Sequence, residues 1–144
     1  MTLSALRQAI AAAIAAELAG DGWREADDPW DQFGQGDGEG RGHLSYAVGV
    51  PASSAMADRQ KRALGVQSDT TLSVRWSYAL PALDRVAGYD AALDAGQALL
   101  AAIWTAADSS GHSLIYVASE QTVDEEGWMI GEITFRALHR LPLT

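Results

Sequence analysis

Carboxylates are the side chains of this chain whose grouping could do chemistry. Asp124, Glu125 and Glu126 are consecutive, and Asp27 directly precedes Asp28. Paired carboxylates can act as a general acid and base or hold two metal ions. Acids that are adjacent in a turn, however, usually point in different directions into water. We therefore interpret the three consecutive acids as the exposed corner of a hairpin.

The other candidates for catalysis are isolated from one another. The histidines His43, His112 and His139 lie singly in or beside predicted strands, without the spacing of a metal motif. The serines lack the strand-turn-helix elbow that exposes a nucleophile. No dinucleotide fingerprint or phosphate-binding loop occurs. We predict that the protein is not an enzyme, that it has no cofactor, and that it has no catalytic, cofactor-binding or metal site.

Length and composition predict a single domain, residues 1–144, held together by packing. Of the 144 residues, 48% are hydrophobic, which is typical of a globular protein. The chain has no cysteine, and this excludes disulfides and thiolate zinc sites. No apolar run approaches the roughly 18 residues of a membrane span, and the N-terminus lacks an export pattern. We expect synthesis in a cytoplasm and no membrane partner.

The net charge of −9 argues against tight binding to nucleic acid, whose phosphates attract Lys and Arg. The same charge is compatible with DNA that merely slides past. Many of the acids fall in a long glycine-rich loop at 21–42, together with Trp23, Trp30 and Phe33. Aromatic side chains favour burial and are common anchors of interfaces. These three either contact a partner chain or fold back on their own core, and a short strand near residues 30–33 is a further alternative.

The first element is an amphipathic helix. Its apolar residues recur at spacings of three and four: Leu3, Leu6, Ile10, Ile14 and Leu18. Thr2 or Ser4 can cap its start, and Gly20 can end it.

Two alternating segments predict strands with one buried face. The inward residues of the first are Leu44, Tyr46, Val48 and Val50, and those of the second are Leu72, Val74, Trp76, Tyr78 and Leu80. Between them, residues 51–69 carry Arg59, Lys61 and Arg62, the only basic cluster. This segment is either a short helix capped by Ser53 or Ser54, or a long hairpin arm. Its basic side chains are either solvated or contact an acidic neighbour or a phosphate.

A second helix is predicted from about Asp90 to Ala106. Its apolar side consists of Ala92, Leu93, Leu99, Leu100, Ile103 and Trp104. Gly96 lies in its middle, where close packing on a sheet would justify a residue of low helix propensity.

The chain closes with an antiparallel hairpin whose second strand has two unlike faces. One face is apolar and carries Met129, Ile133, Phe135 and Ala137. The other is mixed and carries Trp128, Ile130, Glu132, Thr134, Arg136 and Leu138. Trp128 and Arg136 on the mixed face are candidates for contact with a neighbouring subunit. Together these elements predict an α+β fold: a mainly antiparallel sheet of about four strands with two helices packed on one face.

This layout resembles the tail terminator proteins of long-tailed bacteriophages and of phage-like gene transfer agents. The resemblance is carried, in order, by "LRQAIAAAIAAEL", "LSVRWSYAL", "DAALDAGQALLAAIW" and "DEEGWMIGEITFRALHR". The acidic loop at 21–42 does not align with the family. The resemblance implies a structural virion protein without catalytic residues.

The same resemblance implies a hexameric ring in the neck of the virion. The ring would cap the head-proximal end of the tail tube, stop polymerisation of the tube protein, and contact the head-tail connector or a head-completion protein. Genomic DNA would only pass through its lumen. Two alternatives remain open: another neck component, such as a head-completion or stopper protein, and a non-virion acidic protein-binding module or DNA mimic.

Overall fold

Two helices and seven strands make up the described part of the chain. The computed structural model describes residues 2–26, 42–55, 61–62, 65–109 and 114–141. In chain order the elements are α1 (Leu3–Glu17), β1 (Arg24–Glu25), β2 (Ser45–Val48), β3 (Ala52–Ala55), β4 (Lys61–Arg62), β5 (Gly65–Ala79), α2 (Arg85–Ser109), β6 (Leu114–Val123) and β7 (Trp128–Leu141). The strands form one sheet in the order β1-β2-β5-β7-β6, and β3 and β4 also pair with β5.

The predicted α+β fold is confirmed. β2, β5, β6 and β7 are the strands expected from the sequence, and they pair antiparallel. Both helices contribute to one apolar core with a single face of the sheet. The short strands β1, β3 and β4 are additional, and β1 makes the sheet mixed because it runs parallel to β2.

The segment at 51–69 is a strand-forming arm where the structure describes it. Ser53 and Ser54 lie in β3, opposite Thr70 and Asp69 of β5, so the alternative of a short helix capped by these serines is wrong. β5 therefore begins at Gly65, well before the predicted alternation, because its first half pairs with β3 and β4.

Helix α1 follows its sequence pattern closely. Leu6, Ile10, Ile14 and Leu18 are buried, and Leu3 is partly buried. The hydroxyl of Thr2 accepts a hydrogen bond from the backbone N–H of Ala5 at 3.1 Å, which satisfies one of the free donors of the first turn. Gly20 follows the helix with φ +89°, a conformation that favours glycine.

Trp76 is the central side chain of the core. It is 1% exposed and lies between two glycines, Gly96 of α2 and Gly131 of β7. A Cβ atom at Gly96 would lie 2.4 Å from Trp76 Cζ2, and one at Gly131 would lie 2.1 Å from Trp76 Cε2. Within the described residues the buried indole N–H has no hydrogen-bond partner. Close packing on the sheet thus explains Gly96, as predicted.

Helix α2 begins at Arg85 rather than near Asp90, which corrects the predicted start. Asp84, with φ +58°, precedes the helix, and its Oδ1 accepts a hydrogen bond from the N–H of Ala87 at 3.4 Å. This cap involves no apolar residue and is therefore invisible to a periodicity argument. Leu93 and Trp104, predicted on the apolar side, are 44% and 47% exposed. The sheet covers only the stripe centred on Gly96, which leaves both residues on the flank.

Strand β2 departs from simple alternation. All four of its residues are buried, including Ser45 and Ala47 on the face away from the core. Gly42 contacts that face: its carbonyl accepts a hydrogen bond from Ser77 Oγ at 2.7 Å. Two residues predicted to point inward lie outside the strand: Leu44 adopts φ +56°, and Val50 is 74% exposed.

We predict that Gly96→Ala destabilises the protein, although alanine is the better helix former. Helix propensity alone would raise the free energy of unfolding by at most about 1 kcal/mol. Overpacking against the fixed indole costs about 1–3 kcal/mol, so the net sign is a loss. Urea unfolding should show this loss, and Gly96→Ala should cost less when made in a Trp76→Phe background, which lacks the clashing ring atoms. A stabilising effect of Gly96→Ala in the native background would contradict the close packing of Trp76 against α2.

Candidate interaction surface

The acidic corner that follows β6 is a turn held by hydrogen bonds to a side chain. Asp124 Oδ1 accepts hydrogen bonds from the N–H groups of Glu126 at 3.0 Å and Trp128 at 2.9 Å. Gly127 adopts φ +90°, while Glu125 and Glu126 are exposed. The interpretation of these acids as the corner of a hairpin is confirmed. The carboxylate of Asp124 is engaged in holding the turn, and in the described ranges no three His, Asp or Glu side chains are placed to hold a metal ion.

His43 has a structural position. Its Nδ1 accepts a hydrogen bond from the N–H of Ala79 at 3.1 Å, and its ring meets Tyr78 edge-on at 4.5 Å. The contact ties the start of β2 to the end of β5. His112 lies outside the described residues, and His139 lies in β7.

The face of the sheet that turns away from the helices is mixed in character, with more polar than apolar side chains; we call it the open face. Its side chains come from β5, β7 and β6, in register across the three strands. They are Thr71, Ser73 and Arg75 of β5, Trp128, Ile130, Glu132, Thr134 and Arg136 of β7, and Ile115, Ala118, Glu120 and Thr122 of β6. The predicted mixed face of β7 belongs to this surface, since Met129, Ile133, Phe135 and Ala137 are buried on the other side.

Two ion pairs order the open face. Arg136 donates to both carboxylate oxygens of Asp69, at 2.6 and 3.1 Å. The hydrogen bond from Arg136, aided by its charge, lowers the pKa of Asp69, and the same contact raises the pKa of Arg136. Arg75 Nε lies 3.4 Å from Glu132 Oε2. Because these groups are solvent-accessible, the pairs fix side-chain positions more than they add stability. The Asp69 contribution is present at neutral pH and is lost as the pH falls through its lowered pKa.

Glu120 gives the open face an acidic spot next to the sheet edge. It lies directly opposite Glu132 in the β6–β7 ladder, and Glu132 has Arg75 on its other side. Like charges directly opposite one another destabilise an antiparallel pair. No ion pair involves Glu120 within the described ranges, so this row of three carries one uncompensated negative charge.

A cleft of about 570 Å³ lies between α2 and β6 on the opposite, core-facing side of the sheet. Trp76 and Ile133 line it from within, while Leu93, Trp104 and Tyr116 line it as partly exposed apolar side chains. Sequence analysis missed this cleft. Its signal was a second set of apolar residues on α2, Leu93, Leu100 and Trp104, which makes the apolar arc of the helix wider than the sheet can cover.

The predicted interface residues fall into separate regions. Trp23 is half-buried, and its ring meets Trp76 edge-on with 6.5 Å between the ring centroids. Of the two alternatives for this residue, the structure shows the one in which it folds back on its own core. Trp30, Phe33 and Arg59 lie outside the described residues.

The other four predicted residues lie on the sheet. Lys61 and Arg62 form β4 and pair with Val66 and Gly65 of β5. Trp128 and Arg136 do share the open face of β7, at opposite ends of it. At the strand rise of about 3.4 Å per residue they are roughly 27 Å apart, so together they can mark a long surface but not a single pocket.

We predict that Asp124→Ala lowers the free energy of unfolding by about 1–2 kcal/mol, because two backbone N–H groups lose their acceptor. Glu125→Ala is the matched control: the same corner loses an exposed acid, and stability should change by less than about 0.5 kcal/mol. Urea titrations compare the two variants. Equal losses would show that the corner is held by something other than Asp124.

Compared with known proteins, the chain matches no family model and no curated protein sequence.

Proposed function

We propose that this protein is a tail terminator, a structural protein that closes into a hexameric ring on the head-proximal end of a phage-type tail tube. In that position it stops polymerisation of the tail tube protein and joins the tail to the head-tail connector or a head-completion protein. The proposal places the chain in the neck of a virion after synthesis in the host cytoplasm. The order and spacing of the elements that resemble the family support it.

The observation that carries the proposal is the asymmetry of the sheet. One face is covered by two helices and the other is open, ordered by ion pairs, and mixed in character. The two edges also differ: one ends in the long strand β6, and the other in the short strands β1, β3 and β4. A cyclic head-to-tail ring requires two different, complementary patches on every subunit. A domain with unlike edges has such a pair.

Charge supports the same assignment. A net charge of −9 is unsuited to holding DNA, because affinity for phosphates depends on cationic side chains. A ring through which genomic DNA passes needs a lumen that does not retain it. Acidic side chains are suited to that passage.

None of the helices in the described ranges has the length and apolar character of a membrane span.

We predict that the purified protein limits the growth of tail tubes assembled in vitro from the tail tube protein of the same virion. Tubes polymerised with the protein should be shorter and should carry a ring at one end in negative-stain images. Trp128→Ala combined with Arg136→Ala, which alters the open face, should weaken ring formation while circular dichroism shows a folded subunit.

The assay separates the proposal from its rivals. A head-completion or stopper protein would leave tube length unchanged and would not cap the tubes. An acidic binding module would leave tubes untouched and bind a basic partner with a steep salt dependence. Full-length tubes without a terminal ring contradict the terminator assignment.

A further inference from the structure

The edge strand β6 is long, and no described strand pairs with its outer side. It has ten residues and, within the described ranges, pairs with β7 alone. Several large apolar side chains along it are exposed: Ile115, Tyr116, Val117 and Val123 are each 41–49% exposed. A sheet edge with free backbone groups and apolar side chains is a template for pairing with another strand.

Most of the devices that usually protect such an edge are missing from β6. It contains no proline and no lysine, and its single charged residue is Glu120. A register irregularity between Tyr116 and Ala118 bends the first part of the strand. Beyond it, residues 118–123 continue in unbroken register with β7. Six residues are therefore available to take up a further strand.

The cleft described above extends this edge on the core-facing side. Tyr116, Ser119 and Gln121 of β6 line it together with Leu93 and Trp104 of α2. Successive residues of an added strand point to opposite faces of the sheet. Alternate side chains of that strand would therefore enter the cleft, while the others would lie beside Glu120 on the open face.

Charge decides what can occupy the edge. In a twofold pairing of two β6 strands about residues 118–123, the Glu120 residues of both copies lie opposite or within two positions of each other. Each Glu120 already faces Glu132, whose charge Arg75 compensates, so the two uncompensated Glu120 charges would meet on one surface. The other side of the sheet is complementary instead. β4 consists of Lys61 and Arg62, and in the described part of the chain no strand pairs with the outer side of β3 or β4.

We propose that the edge of β6 receives the β3–β4 edge of a second copy of this chain, so that the sheets of neighbouring subunits join head to tail. The β3–β4 edge means the outer side of Ala52–Ala55 and Lys61–Arg62. Because successive residues of a strand alternate between faces, one of the two basic positions of β4 then falls on the face of the sheet that carries Glu120 of the next copy. The interface uses two unlike patches, as a closed ring requires. This proposal rests on the proposed function for its choice of a second copy as the partner.

A charge swap tests the pairing. Glu120→Lys should weaken self-association at least tenfold, measured by sedimentation velocity over a dilution series, because it sets a cation against β4. Lys61→Glu with Arg62→Glu should weaken it to a similar extent. The triple variant restores opposite charges and should recover most of the native association. Glu125→Lys is the matched control, since it makes the same charge change on the exposed hairpin corner and should leave association unchanged.

Hydrogen exchange locates the contact independently of charge. On assembly, the amides of residues 118–123 and 52–55 should exchange more slowly than in the diluted subunit. Failure of the triple variant to recover association, or protection that appears elsewhere, overturns the edge pairing. If rings still form and cap tubes under either result, the terminator assignment stands without it. A native protein that stays monomeric at every concentration overturns both.

Discussion

The position of Trp76 between Gly96 and Gly131 determines the geometry of the rest of the domain. A side chain at either glycine would collide with the indole, so α2 and β7 approach the ring as closely as backbone allows. The ring is buried even though its N–H finds no acceptor in the described residues, which costs about 1–3 kcal/mol. Burial of this large aromatic surface and its close contacts offset that cost.

The position of α2, which is set by the contact between Gly96 and Trp76, leaves a cleft and a strand edge uncovered in the described part of the chain. The stripe of α2 that contains Gly96 faces the sheet, and the neighbouring stripe with Leu93 and Trp104 extends beyond it towards β6. An apolar cleft remains beside a bare strand edge. A single domain could have covered both with one further strand or helix. In this protein the described chain leaves them open, and the proposed assembly would cover them.

The sequence predicted the elements whose signals are local. The stripe of α1 and its Thr2 cap, the inward residues of β5 from Leu72 to Trp76, and the two faces of β7 were all read from spacing alone. What it missed depends on the tertiary structure. The start of α2 is set by Asp84 in a left-handed conformation, and the exposure of Trp104 depends on how far the sheet extends beneath the helix. Strand β3 was missed because "ASSA" has no apolar alternation of its own. It pairs with the first half of β5, which extends beyond the predicted strand.

The central proposal for the whole protein is that identical subunits join through unlike edges into a closed ring. Cryo-electron microscopy of the purified protein tests it most directly, without any partner present. We predict closed rings with sixfold symmetry, in which the β6 side of each subunit meets the β3–β4 side of the next around an open centre. Particles of single subunits or twofold dimers joined through β6 would contradict it.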